Sequence, residues 1–299
     1  AGTGAAVSGD ETEVKEETAA GTEMTEAEPT GTETGTGDEE ITATTADYTV
    51  NQWGYKNKST GVNVPNWNVQ SNKNATGTVV AVLDTGVDYN HEDLKNVMWK
   101  RTAESDAISQ TLEEAGFGTY GINVNPKTET KPNAMDDATA SHGTHCAGII
   151  AAEWNGFGVS GAANGTKVMA IKILDSAGEG TIAAMIRGFN NITKAKKAGV
   201  NVVAANCSVA AAVKSADNLD AAIKNAGQAG IVAVFASGNF HEDCDIGLYD
   251  GKFLVDHLRY NEYVVTVDST DRAGALSEFS CFGKETTHVG APGTSIYST

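Results

Sequence analysis

Residues 79–94 read VVAVLDTGVDYNHEDL, an apolar run that stops at an acid, Asp84, followed by Thr85-Gly86. Five apolar residues, three of them β-branched, followed by turn residues predict a short buried strand. Similar runs follow along the chain: KVMAIKIL (167–174), VNVVAANCS (200–208), GIVAVFASG (230–238) and EYVVTVDS (262–269). Together they predict a sheet whose strands are buried on both faces.

Helix-like stretches lie between these runs: SHGTHCAGIIAAE (141–153), TIAAMIRGFNNITKAKKAG (181–199) and SADNLDAAIKNAGQAG (215–230). Gly199 and Gly230 occupy the positions at which helix C-caps are expected. Strands that alternate with helices predict a mostly parallel sheet with helices on both faces. Function gathers at the carboxyl ends of such strands, which here are marked by Asp84, Ser208 and the turn at 237–239.

The chain carries a net charge of −18, and the first 46 residues contribute −11 of it with twelve acids, one lysine and no aromatic residue. A segment of this composition buries too little apolar surface to offset its ordering entropy. We therefore predict a disordered acidic tail or linker over 1–46 and one domain over 47–299. No basic patch indicates nucleic-acid binding, and no apolar run is long enough for a membrane span.

Four cysteines, Cys146, Cys207, Cys244 and Cys281, are present, and none forms a Cys-x-x-Cys pair. This spacing argues against a zinc site. One or two disulfides remain open, because pairing cannot be read from the sequence.

Three polar residues at predicted element ends are candidates for chemistry. Asp84 could orient a histidine, bind a metal, act as a phosphatase nucleophile or cap the end of the strand. His142 opens a helix after Ser141, which we expect to be its N-cap, and it could act as a general base. Asn239 could donate to a developing oxyanion or could simply be a turn residue. We expect His145 to be packed and hydrogen-bonded.

Five stretches of the chain resemble the conserved segments of a known enzyme family. VVAVLDTGVDYNHEDL, SHGTHCAGIIAA, NVVAANCSVAA, VAVFASGN and HVGAPGTSIYST resemble, in order and approximate spacing, the subtilisin family (subtilases), over about 47–299. The resemblance implies an α/β fold of three layers, α/β/α, around a mostly parallel central sheet. It also implies a serine endopeptidase that acts through an Asp/His/Ser triad and an acyl-enzyme.

Residue by residue, the resemblance makes Asp84 the triad aspartate, His142 the general base and Asn239 the oxyanion-hole donor. It makes 208–211 the edge strand that pairs with the substrate backbone. The substrate-binding residues that it implies are Ser208, Val209, Ala210, Ala236, Ser237 and Gly238.

The resemblance further implies a structural calcium site, since carboxylate, amide and carbonyl oxygens suit this ion. The ligands that it implies are Asp93, Glu153, Asn155, Phe157 and Val159. The chain departs from the family at Ala210-Ala211, where two glycines are usual. We expect these methyl groups at the rim of the primary specificity pocket to restrict large substrate side chains. Cys146 resembles a thiol-bearing subset of the family, and we expect it to be a small buried hydrophobe.

The Gly293-Thr294-Ser295 triplet resembles a nucleophile motif, but only four residues follow Ser295. We expect these four residues to form no helix, and their β-branched and aromatic side chains favour a strand. Ala291-Pro292-Gly293 instead resembles a turn that precedes the family's nucleophile. By that alignment the serine lies beyond Thr299, so we expect the domain to be incomplete at its C-terminus and the chain as it stands to be inactive.

Two other functions stay open at this stage. One is a non-catalytic subtilase-like binding protein, and the other is an unrelated α/β hydrolase or phosphatase that uses Asp84. For the protease we expect protein or peptide substrates, a monomer and a location in the secretory pathway.

Overall fold

The computed structural model describes residues 13–16, 52–56, 59–62, 75–102, 107–128, 133–246 and 252–299. Its strands are β1 (Glu13–Glu16), β2 (Val79–Asp84), β3 (Gly121–Asn123), β4 (Lys167–Lys172), β5 (Glu179–Thr181), β6 (Val202–Cys207), β7 (Val209–Ala210), β8 (Ala212–Val213), β9 (Val232–Ala236), β10 (Lys252–Phe253), β11 (Val264–Thr270) and β12 (Val289–Pro292). Its helices are α1 (Trp53–Lys56), α2 (Ala107–Glu114), α3 (His142–Ala151), α4 (Ile182–Lys197), α5 (Asp217–Gln228) and α6 (Leu254–Leu258).

Seven strands form one parallel sheet in the order β12-β11-β9-β6-β2-β4-β3. β2 lies inside this sheet between β6 and β4, and Asp84 pairs in register with Lys172 at its carboxyl end. Parallel strands end at the same edge, so the chain brings Asp84, Ser208 and Ser237 to one side of the sheet.

Side chains of β2 alternate between two hydrophobic clusters, as the period of a strand requires. Ala81 and Leu83 lie in the cluster that contains Phe189 of α4 and Ile223 of α5. Val82, between them, lies in the cluster that contains α3 residues. Helices therefore cover both faces, which confirms the three-layer α/β/α arrangement.

The five predicted strands and three predicted helices are all present, with ends that differ by a few residues. Gly199 and Gly230 follow α4 and α5 with φ of 113° and 89°. These left-handed conformations favour glycine and confirm the predicted C-caps. No helix among the described residues has both the length and the apolar composition that crossing a bilayer requires.

Two local predictions were wrong. Ser141 adopts a left-handed conformation, with φ of 48°, and its side chain makes no capping hydrogen bond; its hydroxyl points back to the carbonyl of Ala138 at 3.4 Å. Residues 296–299 form no strand, because their polar groups bond to α3 rather than to a neighbouring strand. The last strand is instead β12, which ends at Pro292.

The N-terminal segment also departs from the prediction of disorder over 1–46. Four of these residues, Glu13–Glu16, form β1 in an antiparallel sheet with β5 and β7. The other residues of the predicted tail lie outside the described ranges.

Candidate active site

Asp84 and His142 form the centre of the site. The Nδ1 atom of His142 lies 2.9 Å from Oδ1 and 3.0 Å from Oδ2 of Asp84. The Asp84 carboxylate is fully buried at the end of β2, whereas the His142 side chain is 24% exposed. A buried carboxylate that faces one ring nitrogen holds the imidazole in a single orientation and leaves its other nitrogen for chemistry.

The backbone around this pair holds both groups in place. The Thr85 N–H donates to Asp84 Oδ1 at 2.7 Å, and the Gly143 N–H donates to Thr85 Oγ1 at 3.0 Å. A β-carbon on residue 143 would lie 2.1 Å from the carbonyl oxygen of Gly86. The first turn of α3 can therefore approach the end of β2 only because residue 143 is glycine.

Lys172 is a residue of the site that the sequence reasoning missed. Its side chain is 1% exposed, and its ammonium donates to Asp137 Oδ1 at 2.8 Å and to the Thr85 carbonyl. A buried ammonium requires such partners. The signal was available, since a lysine interrupts the apolar run KVMAIKIL. Lys172 thereby ties the loop at 133–138 to the residue that follows Asp84.

A cleft of about 770 Å³ lies beside the Asp84–His142 pair. Four of the predicted site residues line it together: His142, Ser208, Ala236 and Asn239. They come from the start of α3 and from the ends of β6 and β9, as the rule for parallel sheets predicted. His145 and Cys146 also line this cleft.

Cys146 is buried, with 8% of its surface exposed, and it packs in the cluster beneath α3. One ligand atom from each of Asp84, His142 and Cys146 lies within 4.8 Å of the others. The carboxylate of this group already accepts from the imidazole, so the arrangement is explained by a hydrogen-bonded acid–base pair with a thiol beside it.

The remaining predicted substrate-binding residues lie next to the cleft without lining it. Val209 and Ala210 are buried on β7, and the methyl group of Ala211 packs in the main hydrophobic cluster. Neither alanine lines the cleft, so their effect on large substrate side chains stays a prediction.

Ser237 and Gly238 form the buried turn that presents Asn239, and Cys281 holds this turn. The Cys281 N–H donates to the Gly238 carbonyl at 2.6 Å, and the Ser237 hydroxyl donates to the Cys281 carbonyl at 3.0 Å. A hydrogen bond from the Cys244 thiol lowers the pKa of Cys281 to about 6. The same bond raises the pKa of Cys244, and burial adds to this. All four cysteines are buried, and none of them forms a disulfide.

His145 is packed and hydrogen-bonded, as predicted. Its Nε2 lies 3.3 Å from the carbonyl oxygen of Ile296. Burial lowers the pKa of His145, and this bond opposes the shift. Ser298 and Thr299 donate to carbonyls of His145 and Thr144 at 2.8 Å each, so residues 296–299 lie against the first turn of α3.

Serines near the cleft have other partners. Ser208 Oγ accepts from the Asn206 amide at 3.0 Å, and Ser269 Oγ lies 2.6 Å from Ser277 Oγ. Ser295 adopts a φ of 49° and is not among the residues that line the cleft, although Gly293 and Ile296 are. That the Gly-Thr-Ser triplet at 293–295 does not present a nucleophile stays a prediction.

The predicted calcium ligands do come together around Asp93. Its buried carboxylate accepts from the Val159 N–H at 2.9 Å and from the Asn155 amide nitrogen at 3.1 Å. The Asn155 amide oxygen accepts from the Phe157 N–H at 2.8 Å, and Glu153 accepts from Asn96. Burial raises the pKa of Asp93, and the two bonds oppose that shift. In this arrangement the Asp93 carboxylate is already hydrogen-bonded by donors of its own loop. The residues fit a calcium ion only if the Asn155 side-chain amide flips, so that its oxygen rather than its nitrogen faces the ion.

Comparison with known proteins assigns the chain to a family. The family model described as "Subtilase family" matches residues 75–299. The chain is 31% identical over 225 residues to thermitase of Thermoactinomyces vulgaris, covering 75% of this chain and 66% of that protein. It is 33% identical to the major intracellular serine protease of Bacillus subtilis (strain 168), covering 74% of this chain and 59% of that protein. The chain thus spans less than two thirds of the length of these relatives.

Solved structures share the fold. A protease from Pseudoalteromonas arctica superposes with a TM-score of 0.60 at 24% identity, covering 84% of this chain and 72% of that one. A cold-adapted subtilisin-like serine proteinase gives a TM-score of 0.55 at 23% identity, covering 76% and 68%. With the family model matched over three quarters of the chain, the conclusion is direct: this chain belongs to the subtilase family.

Proposed function

We propose that the protein is a subtilisin-like serine endopeptidase that hydrolyses peptide bonds in proteins. The observation that carries the proposal is the bond of 2.9 Å between His142 Nδ1 and Asp84, beside a cleft that Asn239 also lines. Acid, imidazole and amide are the groups that acyl transfer from a peptide carbonyl to a hydroxyl requires.

His142 is the general base of the proposed reaction. With its Nδ1–H donated to Asp84, the Nε2 atom is the nitrogen that takes the proton from an attacking hydroxyl and later gives it to the leaving amine. The negative charge of Asp84 stabilises the imidazolium that forms in between. Because Asp84 is fully buried, water does not screen this interaction.

Asn239 is the proposed side-chain donor to the oxyanion. It follows Gly238, whose φ of 123° turns the chain at the end of β9 toward the cleft. In a subtilisin, removal of one such donor lowers turnover by on the order of 10²–10³. The bonds from Cys281 to this turn would keep the amide in position before the charge develops.

The substrate backbone would pair with β7, which follows directly on Ser208 of the cleft. Main-chain pairing of this kind binds extended peptides with little regard to their sequence. Selectivity would come from side-chain pockets near Ser208 and Ala236.

The test is active-site labelling of the natural protein that contains this chain. A fluorophosphonate should label a single serine, and His142→Ala should abolish the labelling while the thermal unfolding midpoint stays within a few degrees. Mapping of the labelled peptide would then assign the nucleophile. A folded protein that takes no label but still binds peptides in the cleft would support a non-catalytic binding protein instead.

Compartment, oligomeric state and metal requirement complete the proposal. We propose a monomer of the secretory pathway with protein or peptide substrates and a structural Ca²⁺ at Asp93. The names of the relatives include a cell wall-associated and an intracellular protease, so family membership does not determine the compartment. Fractionation of the source cells and sedimentation of the pure protein would test the first two proposals.

A further inference from the structure

Asn155 and Gly156 form an asparagine–glycine pair that the proposed peptidase reaction does not use. They lie in the loop between α3 and β4, and both residues are exposed. Gly156 adopts a φ of 81°, and a β-carbon on this residue would meet nothing within 4 Å. Since glycine has no β-carbon, the peptide nitrogen of Gly156 is not obstructed by a side chain of its own residue. This nitrogen can therefore approach the side chain that precedes it.

Two hydrogen bonds of opposite kind hold the side-chain amide of Asn155. Its oxygen accepts from the Phe157 N–H at 2.8 Å, and its nitrogen donates to Oδ1 of Asp93 at 3.1 Å. Asp93 is itself fixed, because it is 2% exposed and its Oδ2 accepts from the Val159 N–H at 2.9 Å. Without a cation, a flip of the amide would set a donor against a donor and an oxygen against a carboxylate. The loop therefore holds the amide in one orientation.

The bond from Phe157 prepares the amide carbon of Asn155 for attack. It closes a small ring that runs from the amide oxygen through Cγ and the backbone to the Phe157 N–H, and the Gly156 nitrogen is a member of this ring. The ring keeps that nitrogen near Cγ. The Phe157 N–H also points at the oxygen on which negative charge develops when a nucleophile adds to Cγ, as an oxyanion-hole donor does.

We propose that Asn155 is a self-modification site, at which the folded loop converts the asparagine to aspartate or isoaspartate through a succinimide. The Gly156 nitrogen loses its proton to hydroxide and forms a bond to Asn155 Cγ, and the bond from Cγ to Nδ2 breaks. The amide nitrogen leaves as ammonia with a proton from water, which regenerates the hydroxide. Water then opens the succinimide at either carbonyl. Water is the one reactant consumed, and no oxidant or reductant takes part.

The product changes the surroundings of Asp93. An aspartate at position 155 lacks the amide donor, and it places a second carboxylate beside one that is buried. Two negative charges this close disfavour the folded loop, and a divalent cation between them would relieve the repulsion. The inference does not depend on peptidase activity, since every group that takes part in the conversion lies in or beside this loop.

Peptide mapping of the intact chain tests the conversion. The protein is incubated in EDTA at pH 8, so that the amide keeps the orientation described, and it is then digested at acidic pH. Asn164 and Gly165 are the internal control, because they are the same pair of residues but are half-buried and precede the buried Thr166. With its donor and its fixed geometry, Asn155 should convert on the order of tenfold faster than Asn164 in the folded protein.

Unfolding in guanidinium chloride should remove this difference, because both pairs then lose their surroundings. Mass spectrometry gives the two rates from one digest. Equal rates in the folded protein would overturn the proposal, and so would conversion of Asn155 that is faster in the unfolded chain than in the folded one.

Two substitutions separate the parts of the mechanism. Phe157→Pro removes the N–H that bonds to Asn155 and should lower its conversion to the rate of Asn164, whereas Phe157→Leu keeps the N–H and should leave the rate unchanged. Gly156→Ala places a β-carbon beside the attacking nitrogen and should also slow the conversion. Gly165→Ala is its matched control and should not affect Asn155. Folded variants of the first and third kind that convert as fast as the wild type would overturn the mechanism.

The variant Asn155→Asp tests the effect on Asp93, because it contains one of the two products from the start. Its thermal unfolding midpoint in EDTA should lie several degrees below that of the wild type. Asn190→Asp, which adds the same charge on the exposed surface of α4, should stay close to the wild type. Equal midpoints for Asn155→Asp and Asn190→Asp would refute the repulsion between residues 155 and 93.

Discussion

A β-carbon on residue 143 would lie 2.1 Å from the carbonyl oxygen of Gly86 and 3.0 Å from Cβ of Asp84, so α3 begins in direct contact with the strand end that carries the acid. This approach is what brings His142 within hydrogen-bond distance of Asp84, 58 residues earlier in the chain. Gly143→Ala should push the helix away from β2. We expect a loss of about 1–3 kcal/mol in the free energy of unfolding and a fall of at least 100-fold in kcat/KM.

Urea unfolding and peptide hydrolysis measure both effects of Gly143→Ala. Gly188→Ala in α4 is the control, since its β-carbon would meet side-chain methyl groups at 3.1 Å or more. If both variants behave alike, the close approach at residue 143 is not what positions His142.

Asp84→Asn should abolish most activity and leave the fold in place. The amide can present its NH₂ group to His142 Nδ1, which stabilises the wrong tautomer and removes the charge that stabilises the imidazolium. In triad enzymes this change lowers kcat on the order of 10⁴-fold. Single-turnover hydrolysis at saturating substrate measures the effect. Asp88→Asn, which changes an acid on the same loop, should retain activity within a few fold.

Lys172→Met should lower the free energy of unfolding, because the buried ammonium group is lost. The substitution removes the ammonium that bonds to Asp137 and to the Thr85 carbonyl. Since the Asp137 side chain is 30% exposed, solvent compensates part of the loss, and we expect about 1–3 kcal/mol. A double-mutant cycle with Asp137→Asn should recover part of that cost, and additive effects would show that the two residues are independent.

The stability of the protein should fall at acidic pH in part through His145. Burial lowers the folded-state pKa of His145, so the unfolded state binds more protons below the ordinary value of about 6.5. The neutral ring therefore contributes full stability above that pH, and the contribution is lost as pH falls from 6.5 through the lower folded-state pKa. Thermal unfolding midpoints at pH 7.5 and 5.0 should differ less in His145→Asn than in the wild type. An unchanged difference would contradict this assignment.

Calcium should raise the thermal unfolding midpoint if the Asp93 loop binds it. We expect a rise of several degrees between EDTA and millimolar Ca²⁺, because a ligand that binds only the folded state stabilises it. Asp93→Asn should remove this rise. Asp243→Asn, an acid elsewhere on the surface, should keep it. No rise in the wild type would indicate that the hydrogen bonds from Val159 and Asn155 have replaced the metal.

The strands and the Asp84–His142 pair were predictable because their signals are local. β2 and β4 are apolar runs that end at turn residues, and His142 opens a helix with Gly143 beside it. Parallel strands end at one edge whatever their order, so the gathering of Asp84, Ser208 and Asn239 followed from the fold class alone.

One of the two errors came from a competing bond within the preceding loop, and the other came from a distant partner. Serine is a residue type that favours the N-cap, but the hydroxyl of Ser141 bonds to the carbonyl of Ala138 in the preceding loop instead. Residues 296–299 have the propensity of a strand, yet their hydroxyls bond to carbonyls at the start of α3. Local propensity is worth tenths of a kcal/mol per residue, and a few tertiary hydrogen bonds outweigh it.

The sequence by itself determined the fold class, the family resemblance and the identities of Asp84, His142 and Asn239, because periodicity and short motifs record these directly. Only the tertiary structure decided that Lys172 anchors the site, that Cys281 holds the turn of Asn239, and that Glu13–Glu16 lie between β5 and β7. These contacts join residues that are far apart in the chain, from 35 positions for Lys172 and Asp137 to 195 positions for Lys15 and Ala210. No local pattern encodes such a separation, since it exists only once the sheet has brought those segments together.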